Sequence, residues 1–184
     1  LATISNDNYL LNSDSFNGEP RDITPILDAT LRSWDSDSKE KDNLRVLAIK
    51  GLSARKVASD SAVLKWSPDE TKFIYRQIPL SAIEKKAESN ISGFKLYDLE
   101  VNDSYDLPSA KSLSFLPDSR HIVLVEDGKI SVADYDGTNS AIIYAGNFED
   151  SFVFAWPDSS RLVIISSLPT PTASEPNFYG INLK

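Results

Sequence analysis

The 184-residue sequence contains no cysteine and no methionine. The absence of cysteine excludes disulfides, thiolate metal ligands and a thiol nucleophile. Because methionine is absent and the first residue is Leu1, we expect a processed chain or an excised domain, with any signal peptide outside it. No apolar run approaches the roughly 20 residues that a membrane-spanning helix needs, so no membrane span is predicted.

Basic residues are scarce relative to acidic ones. The 19 lysines and arginines against 27 aspartates and glutamates give a formal net charge of −8. The basic residues form no stripe along the sequence, so nucleic acid is not expected as a ligand. With 41% hydrophobic residues, the composition is nevertheless typical of a folded globular protein.

One phrase recurs along the chain: an apolar run, a Pro-Asp turn and a second β-prone run. Its copies are AVLKWSPDETKFIYRQ (62–77), SLSFLPDSRHIVLVED (112–127) and FVFAWPDSSRLVIISS (152–167). Proline presets φ at the first turn position, and the aspartate side chain can bond the backbone two residues further on. Each copy is therefore predicted to be a β-hairpin. A degraded copy, with Asn6-Asp7 at the turn, opens the chain at 2–15.

The spacing of these hairpins predicts an all-β protein of about four propeller blades. The last two Pro-Asp turns lie about 40 residues apart, which is the length of a four-stranded blade. After the copy at 112–127, turns at Asp127-Gly128 and Asp136-Gly137 complete a four-stranded meander. The last blade has sequence for only three strands, so its outer strand is predicted to be missing. The approximate blade boundaries are 1–60, 61–109, 110–149 and 150–184.

Two explanations fit this count of strands. Propellers usually close with four to eight blades, so we expect either a fragment of a larger ring or a small ring completed by its N-terminal segment or by another copy. We favour the fragment. An open blade edge exposes unpaired backbone groups, so self-association is expected when the chain is studied alone.

The blades differ most in the loop between their second and third strands. In the first blade this loop is predicted to hold a short amphipathic helix, before a third strand at 44–51 and a fourth near 53–58. In the second blade, residues 78–92 also show helical spacing. Insertions on a rigid scaffold commonly form binding surfaces, although packing of the helix on its own blade is the alternative. The candidate interaction surface consists of Ile23, Ile26, Leu27, Leu31 and Trp34.

His121 and the turn aspartates are the other candidates for chemistry. His121 is the only histidine, but no G-x-S-x-G elbow or Ser/Asp partner motif accompanies it, so we expect a partly exposed strand residue near a turn. Asp69, Asp118 and Asp158 could line a channel, but their places after proline explain them as turn formers. No catalytic residue is predicted.

Two further patterns have structural explanations. Residues 35–42, DSDSKEKD, depart from the calcium-binding EF-hand pattern, so no metal site is predicted, and no cofactor is expected. Trp66, Phe115 and Trp156 are expected to occupy equivalent positions in the core between blades, where stacking of blades needs a large side chain.

The phrases at 66–69, 116–118 and 156–158 resemble the W-S-P-D-G signature of TolB-like β-propeller repeats, relatives of the WD-repeat class, and GFKLYDLE (93–100) resembles their I-Y-x-x-D-L strand. None of the four turns carries the glycine that those repeats have after the aspartate. The resemblance implies a non-catalytic scaffold that binds a protein or a glycan at a bacterial cell envelope, in a periplasmic or other extracytoplasmic location. The alternative is the gating propeller of a larger prolyl-oligopeptidase-like serine hydrolase.

Overall fold

The computed structural model describes residues 1–4, 6–12, 15–77, 93–168 and 175–183. The chain divides into two compact units, Leu1–Ala48 and Ile49–Lys184. The described residues form four antiparallel sheets, in which every strand pairs with its neighbours in sequence. This arrangement confirms the predicted all-β propeller fold.

The first unit contains a three-stranded sheet and a long helix. The sheet consists of β1 (Ala2–Ile4), β2 (Asp7–Leu10) and β3 (Arg21–Asp22). Ile4 pairs with Asp7 across the first turn, and Asn6 in that turn has a φ of 74°, so the degraded first hairpin is confirmed. A 3₁₀ turn (Thr24–Ile26) then leads into α1 (Leu27–Ala48).

The strands predicted at 44–51 and 53–58 are wrong. Helix α1 continues to Ala48, and a second helix, α2 (Leu52–Ser59), begins the second unit. No glycine or proline interrupts the chain between Pro25 and Gly51, so nothing stops a helix there. Ion pairs at helical spacing, Lys39 with Asp35 and Arg45 with Asp42, add support along α1.

The second unit contains three blades, each an antiparallel meander. The strands of blade 2 are β4 (Ser61–Trp66), β5 (Lys72–Gln77), β6 (Lys95–Asp98) and β7 (Asp103–Asp106). Those of blade 3 are β8 (Ser112–Phe115), β9 (His121–Glu126), β10 (Lys129–Asp134) and β11 (Ala141–Ala145). Those of blade 4 are β12 (Val153–Ala155), β13 (Arg161–Ser166) and β14 (Asn177–Asn182). Blade 4 thus lacks a fourth strand among the described residues, as predicted. The helical pattern at 78–92 lies outside the described residues.

Successive side chains along each strand point to opposite faces of the sheet, and this divides the core of the second unit into two clusters. Ile122 and Leu124 of β9 point toward blade 2, whereas Val123 and Val125 point toward blade 4. The first cluster contains Ile74, Phe94, Leu96, Leu107, Leu113, Ile122, Leu124 and Ala133. The second contains Leu116, Val123, Val125, Ile130, Leu162 and Ile164. Burying each large aliphatic side chain contributes roughly 1.5–3 kcal/mol, so these two interfaces hold the blades together.

The opposite face of blade 2 is also buried. Phe73, Tyr75 and Tyr97 are almost fully inaccessible, and the rings of Phe73 and Tyr97 stack with centroids 5.4 Å apart. Helix α2 contacts β4, and its Ala54 and Ala58 are buried as well. Blade 2 is therefore covered on both faces.

The expected equivalence of the three aromatic residues holds for only two of them. Trp66 pairs with Phe73 and Phe115 pairs with Ile122, but the residue in that place in blade 4 is Ala155. Trp156 occupies the next position and is 49% exposed. The cause is the missing serine between tryptophan and proline in the blade 4 phrase, which places Trp156 in the register of Ser67.

Candidate binding site at the turn end of the blades

The Pro-Asp turns of blades 2, 3 and 4 lie at one end of the sheets, called the turn end below. At each turn the aspartate accepts backbone hydrogen bonds from residues further along the chain. The bonds come from the amides of Thr71 (to Asp69), Arg120 and His121 (to Asp118) and Ser160 (to Asp158), at 2.8–3.1 Å. The aspartates are turn formers, in agreement with the sequence interpretation.

The residue after each aspartate has a left-handed backbone. Glu70, Ser119 and Ser159 have φ values of 59°, 59° and 58°. Glycine adopts this conformation without steric cost, which explains the glycine at this place in the W-S-P-D-G signature of TolB-like repeats. Ser119 has a second role, because its buried hydroxyl accepts a hydrogen bond from the amide of Asp69 at 3.1 Å and so joins blades 2 and 3.

In blades 2, 3 and 4, the first residue of the second strand is basic. It lies opposite a polar residue at the end of the third strand. The cross-strand pairs are Lys72–Asp98, His121–Asp134 and Arg161–Asn182. The pairs occupy equivalent places, because the amide that follows each polar residue donates to an equivalent carbonyl. These bonds run from Leu99 to Thr71, from Tyr135 to Arg120 and from Leu183 to Ser160.

In blade 2 this pair is buried. The side chains of Lys72 and Asp98 are 8% and 3% exposed, with Nζ 4.0 Å from Oδ2. Lys72 Nζ also lies 3.5 Å from the Glu100 carboxylate and 5.0 Å from the ring centroid of Tyr135. Burial and the neighbouring Asp98 carboxylate raise the pKa of the Tyr135 phenol, so the phenol stays neutral beside Asp98. Protein groups thus satisfy this charged cluster.

In blade 3 the equivalent pair is open to solvent. The side chains of His121 and Asp134 are 42% and 37% exposed, with Nε2 3.5 Å from Oδ1. His121 Nδ1 lies 2.7 Å from Oδ2 of Asp118. Partial burial raises the pKa of Asp118, but hydrogen bonds from the Arg120 amide and from His121 outweigh it, so the net pKa is lowered.

A cleft of about 440 Å³ lies beside this histidine, between blades 3 and 4. Its apolar floor includes Leu116, Val132, Ile143 and Leu183, and its rim includes Asp118, Asp134 and Asp158. A second cleft, of about 550 Å³, lies on the other side of His121 between blades 2 and 3, and mainly charged and polar residues line it. His121 and Asp134 line both clefts.

Acidic groups lie on both sides of the His121 ring. Each ring nitrogen of His121 already faces a carboxylate, so neither is directed at a hydroxyl nucleophile.

Within the described residues, no group of three or more histidines and acidic residues is arranged to hold a metal ion. No helix in the described part of the chain is long and apolar enough to cross a membrane.

The predicted interaction surface lies in the first unit, on the 3₁₀ turn and α1. Ile26, Leu31 and Trp34 are exposed, whereas Ile23 is fully buried and cannot contribute contacts. Helix α1 buries none of its own side chains. The structure therefore leaves four of the five residues available as a surface.

The sequence interpretation missed the role of His121 as the link between two carboxylates. The two-residue Asp127-Gly128 turn fixes the register of β9 on β10, with Glu126 opposite Lys129. Counting back along both strands places His121 opposite Asp134. That signal was present in the sequence.

A scan against protein-family models and a search of curated proteins found no match. Among solved structures the chain is similar to a putative TolB from Agrobacterium tumefaciens, with 20% identity, a TM-score of 0.40 and coverage of 55% of this chain and 37% of that one. It is also similar to the β-propeller domain of the Trilobed protease from Pyrococcus furiosus, with 18% identity, a TM-score of 0.43 and coverage of 67% and 41%.

A third similar structure is TolB from Acinetobacter baumannii, with 13% identity, a TM-score of 0.41 and coverage of 67% and 30%. The chain thus spans less than half the length of each of these three chains. Two of these three structures are TolB proteins, whose repeats the Pro-Asp phrases resemble. The assignment of the blades rests on the strand order and register of the molecule itself, which make this chain a β-propeller domain.

Proposed function

We propose that this chain is a non-catalytic propeller module that binds a protein partner, at a bacterial cell envelope, through the turn end of its blades. The cleft between blades 3 and 4 carries the proposal. It takes an extended segment of the partner with a lysine or arginine side chain inserted between the blades.

The size and chemistry of the cleft support this occupant. A volume of about 440 Å³ accommodates one or two side chains. The methylene stem of a lysine or arginine would lie on the apolar floor at Val132 and Leu183, and its cation would reach the carboxylates at the rim. The formal charge of −8 adds a long-range attraction for basic partners.

The lack of a free base at His121 supports a binding role. A general base needs a nitrogen within hydrogen-bond reach of the proton it removes, and both nitrogens of His121 face aspartates. The gating role in a serine hydrolase draws no support from any contact among the described residues. Ile26, Leu27, Leu31 and Trp34 on the first unit remain a second proposed contact surface for the same partner.

The test uses the full chain against an array of extended eight-residue peptides, in parallel with an array of bacterial surface glycans. We expect the selected peptides to share one lysine or arginine. Replacing Asp134 by asparagine should weaken their binding about tenfold, since one charge-assisted hydrogen bond is worth about 1.5–3 kcal/mol. Asp127→Asn is the matched control, because Asp127 lies at the other end of the same strand pair, and it should leave binding unchanged.

Three results would contradict the proposal. One is selection of peptides without basic residues, and another is equal weakening by Asp134→Asn and Asp127→Asn. The third is binding confined to the glycan array, which would establish the glycan role that the resemblance also implies. Trp34→Glu in the same assay tests the second contact surface separately.

A further inference from the structure

Blade 4 carries an apolar surface on the face turned away from blade 3. Leu162, Ile164, Tyr179 and Ile181 pack against blade 3, so their neighbours along β13 and β14 point the other way. This outward surface, called the open face, consists of Phe152, Phe154, Trp156, Val163, Ile165 and Phe178. Phe154, Trp156 and Phe178 are 55%, 49% and 63% exposed.

The open face is organised and aromatic. The ring of Phe152 lies 4.7 Å from that of Phe154 and 5.4 Å from that of Phe178, in edge-to-face contacts. Arg161 lies over Trp156 at 5.8 Å, at the turn end of the same surface. Such pairs contribute energy beyond the area they bury, so this face is preformed for contact with another apolar surface.

The equivalent positions in blade 3 show what the open face is built to contact. Leu116 and Val123 of blade 3 correspond to Trp156 and Val163, and both are buried where blade 4 packs on them. The open face therefore occupies the place of an interface between blades. Its three most exposed side chains, Phe154, Trp156 and Phe178, are each about half accessible to solvent.

We propose that the open face binds the open face of a second copy of this chain, which gives a closed dimer. A head-to-tail contact would place the open face of one copy against blade 2 of another copy, on the face of blade 2 that is turned away from blade 3. That face is already buried in each copy at Phe73, Tyr75 and Tyr97. Face-to-face contact between two open faces needs no such rearrangement, and a two-fold axis closes it at two copies.

The area available is sufficient for a specific but weak dimer. The exposed fractions of the three main aromatic residues, together with the smaller exposed parts of the other three side chains, amount to roughly 500 Å² in each copy. Two copies would bury about 1,000 Å² in total, which is near the lower limit for a specific interface. The dimer should therefore dissociate on dilution.

Sedimentation of the full chain over a wide range of concentrations tests the inference. We expect a monomer–dimer equilibrium with no larger species. Phe154→Glu should weaken it at least tenfold, because it places a charge at the centre of the apolar face. Ile142→Glu is the matched control, since Ile142 is equally exposed but lies on β11 of blade 3, and it should leave the equilibrium unchanged.

A second measurement does not depend on how Phe154→Glu folds. The chain has no cysteine, so a single Phe154→Cys substitution provides the only thiol. A short bifunctional maleimide should link two copies of this variant and leave Ile142→Cys unlinked, because packed sheets lie only about 10 Å apart.

A chain that stays monomeric at every concentration overturns the inference. Dimers that persist in Phe154→Glu also overturn it and point instead to pairing at the free edge of β14, two strands away. Species larger than a dimer overturn the closed dimer in favour of an open stack or a multi-chain ring. This inference does not depend on the binding site at the turn end, so failure of one leaves the other standing.

Discussion

The interface between blades 2 and 3 and the interface between blades 3 and 4 involve the same strand positions. They differ in the residue of the next blade that lies beside the cross-strand pair. At the first, the Asp98 carboxylate raises the pKa of the Tyr135 phenol, and the Tyr135 ring centroid lies 5.0 Å from the Lys72 ammonium. At the second, the residue equivalent to Tyr135 is Leu183, whose side chain has neither an aromatic ring nor a polar group. One residue in the neighbouring blade thus separates a satisfied, buried ion pair from an acidic cleft with an apolar floor.

The comparison shows how equivalent positions of a repeat come to lie in different environments. The same cross-strand pair is structural where the next blade completes it and accessible where the next blade does not. Three pairs of variants at equivalent positions test this contrast. Their expected effects decrease from the buried ion pair, through the residues that follow the third strands, to the turn residues.

Asp98→Ala should lower the free energy of unfolding by about 3–5 kcal/mol, because it removes the one buried carboxylate that faces the buried Lys72 ammonium among the described residues. It also removes the acceptor for the amides of Glu100 and Val101. The equivalent change in blade 3, Asp134→Ala, should cost at most about 1 kcal/mol, since that pair is solvent-exposed. Urea unfolding of both variants measures the difference. Equal losses would show that burial does not distinguish the two pairs.

Tyr135 and Leu183 follow the third strands of blades 3 and 4. Giving each position the other residue should exchange the properties of the two interfaces. Tyr135→Leu should cost about 0.5–2 kcal/mol, because the buried Lys72 ammonium loses the aromatic ring that faces it. Leu183→Tyr should place a phenol near Asp134, fill part of the cleft and weaken peptide binding at least tenfold, with little change in stability. Denaturant unfolding and peptide titration of both variants test this. Undiminished peptide binding by Leu183→Tyr would place the binding site elsewhere.

The left-handed turn residues give the smallest effects, of opposite sign. Ser159→Gly should raise the free energy of unfolding by up to about 1 kcal/mol, since glycine removes the steric cost of positive φ. Ser119→Gly removes the same cost but also the hydrogen bond to the Asp69 amide, so it should lower stability by about 0.5–1 kcal/mol. The shift of the denaturation midpoint measures both. A gain in both variants would mean that the bond between blades 2 and 3 contributes nothing.

Much of the fold could be predicted from the Pro-Asp phrases, since turn chemistry and strand propensity agree at each copy. The end of the first unit could not, because helix α1 extends through the β-prone run from Leu44 to Ala48. Propensity is a weak guide where no glycine or proline marks a boundary. The cross-strand pair of His121 with Asp134 follows from the turn register. Its exposure does not, because exposure depends on Leu183 in the next blade.

The sheet order carries a consequence for folding. Every described strand pairs only with its neighbours in sequence, so each ladder needs only a short loop to close. Even the longest connection within a blade, between Gln77 and Lys95, costs little extra, because each doubling of loop length adds only about 0.6 kcal/mol. Each blade can therefore form its hairpins as it leaves the ribosome, before the next blade exists. Local hairpin formation should be fast, and docking of completed blades should be the slow step of folding.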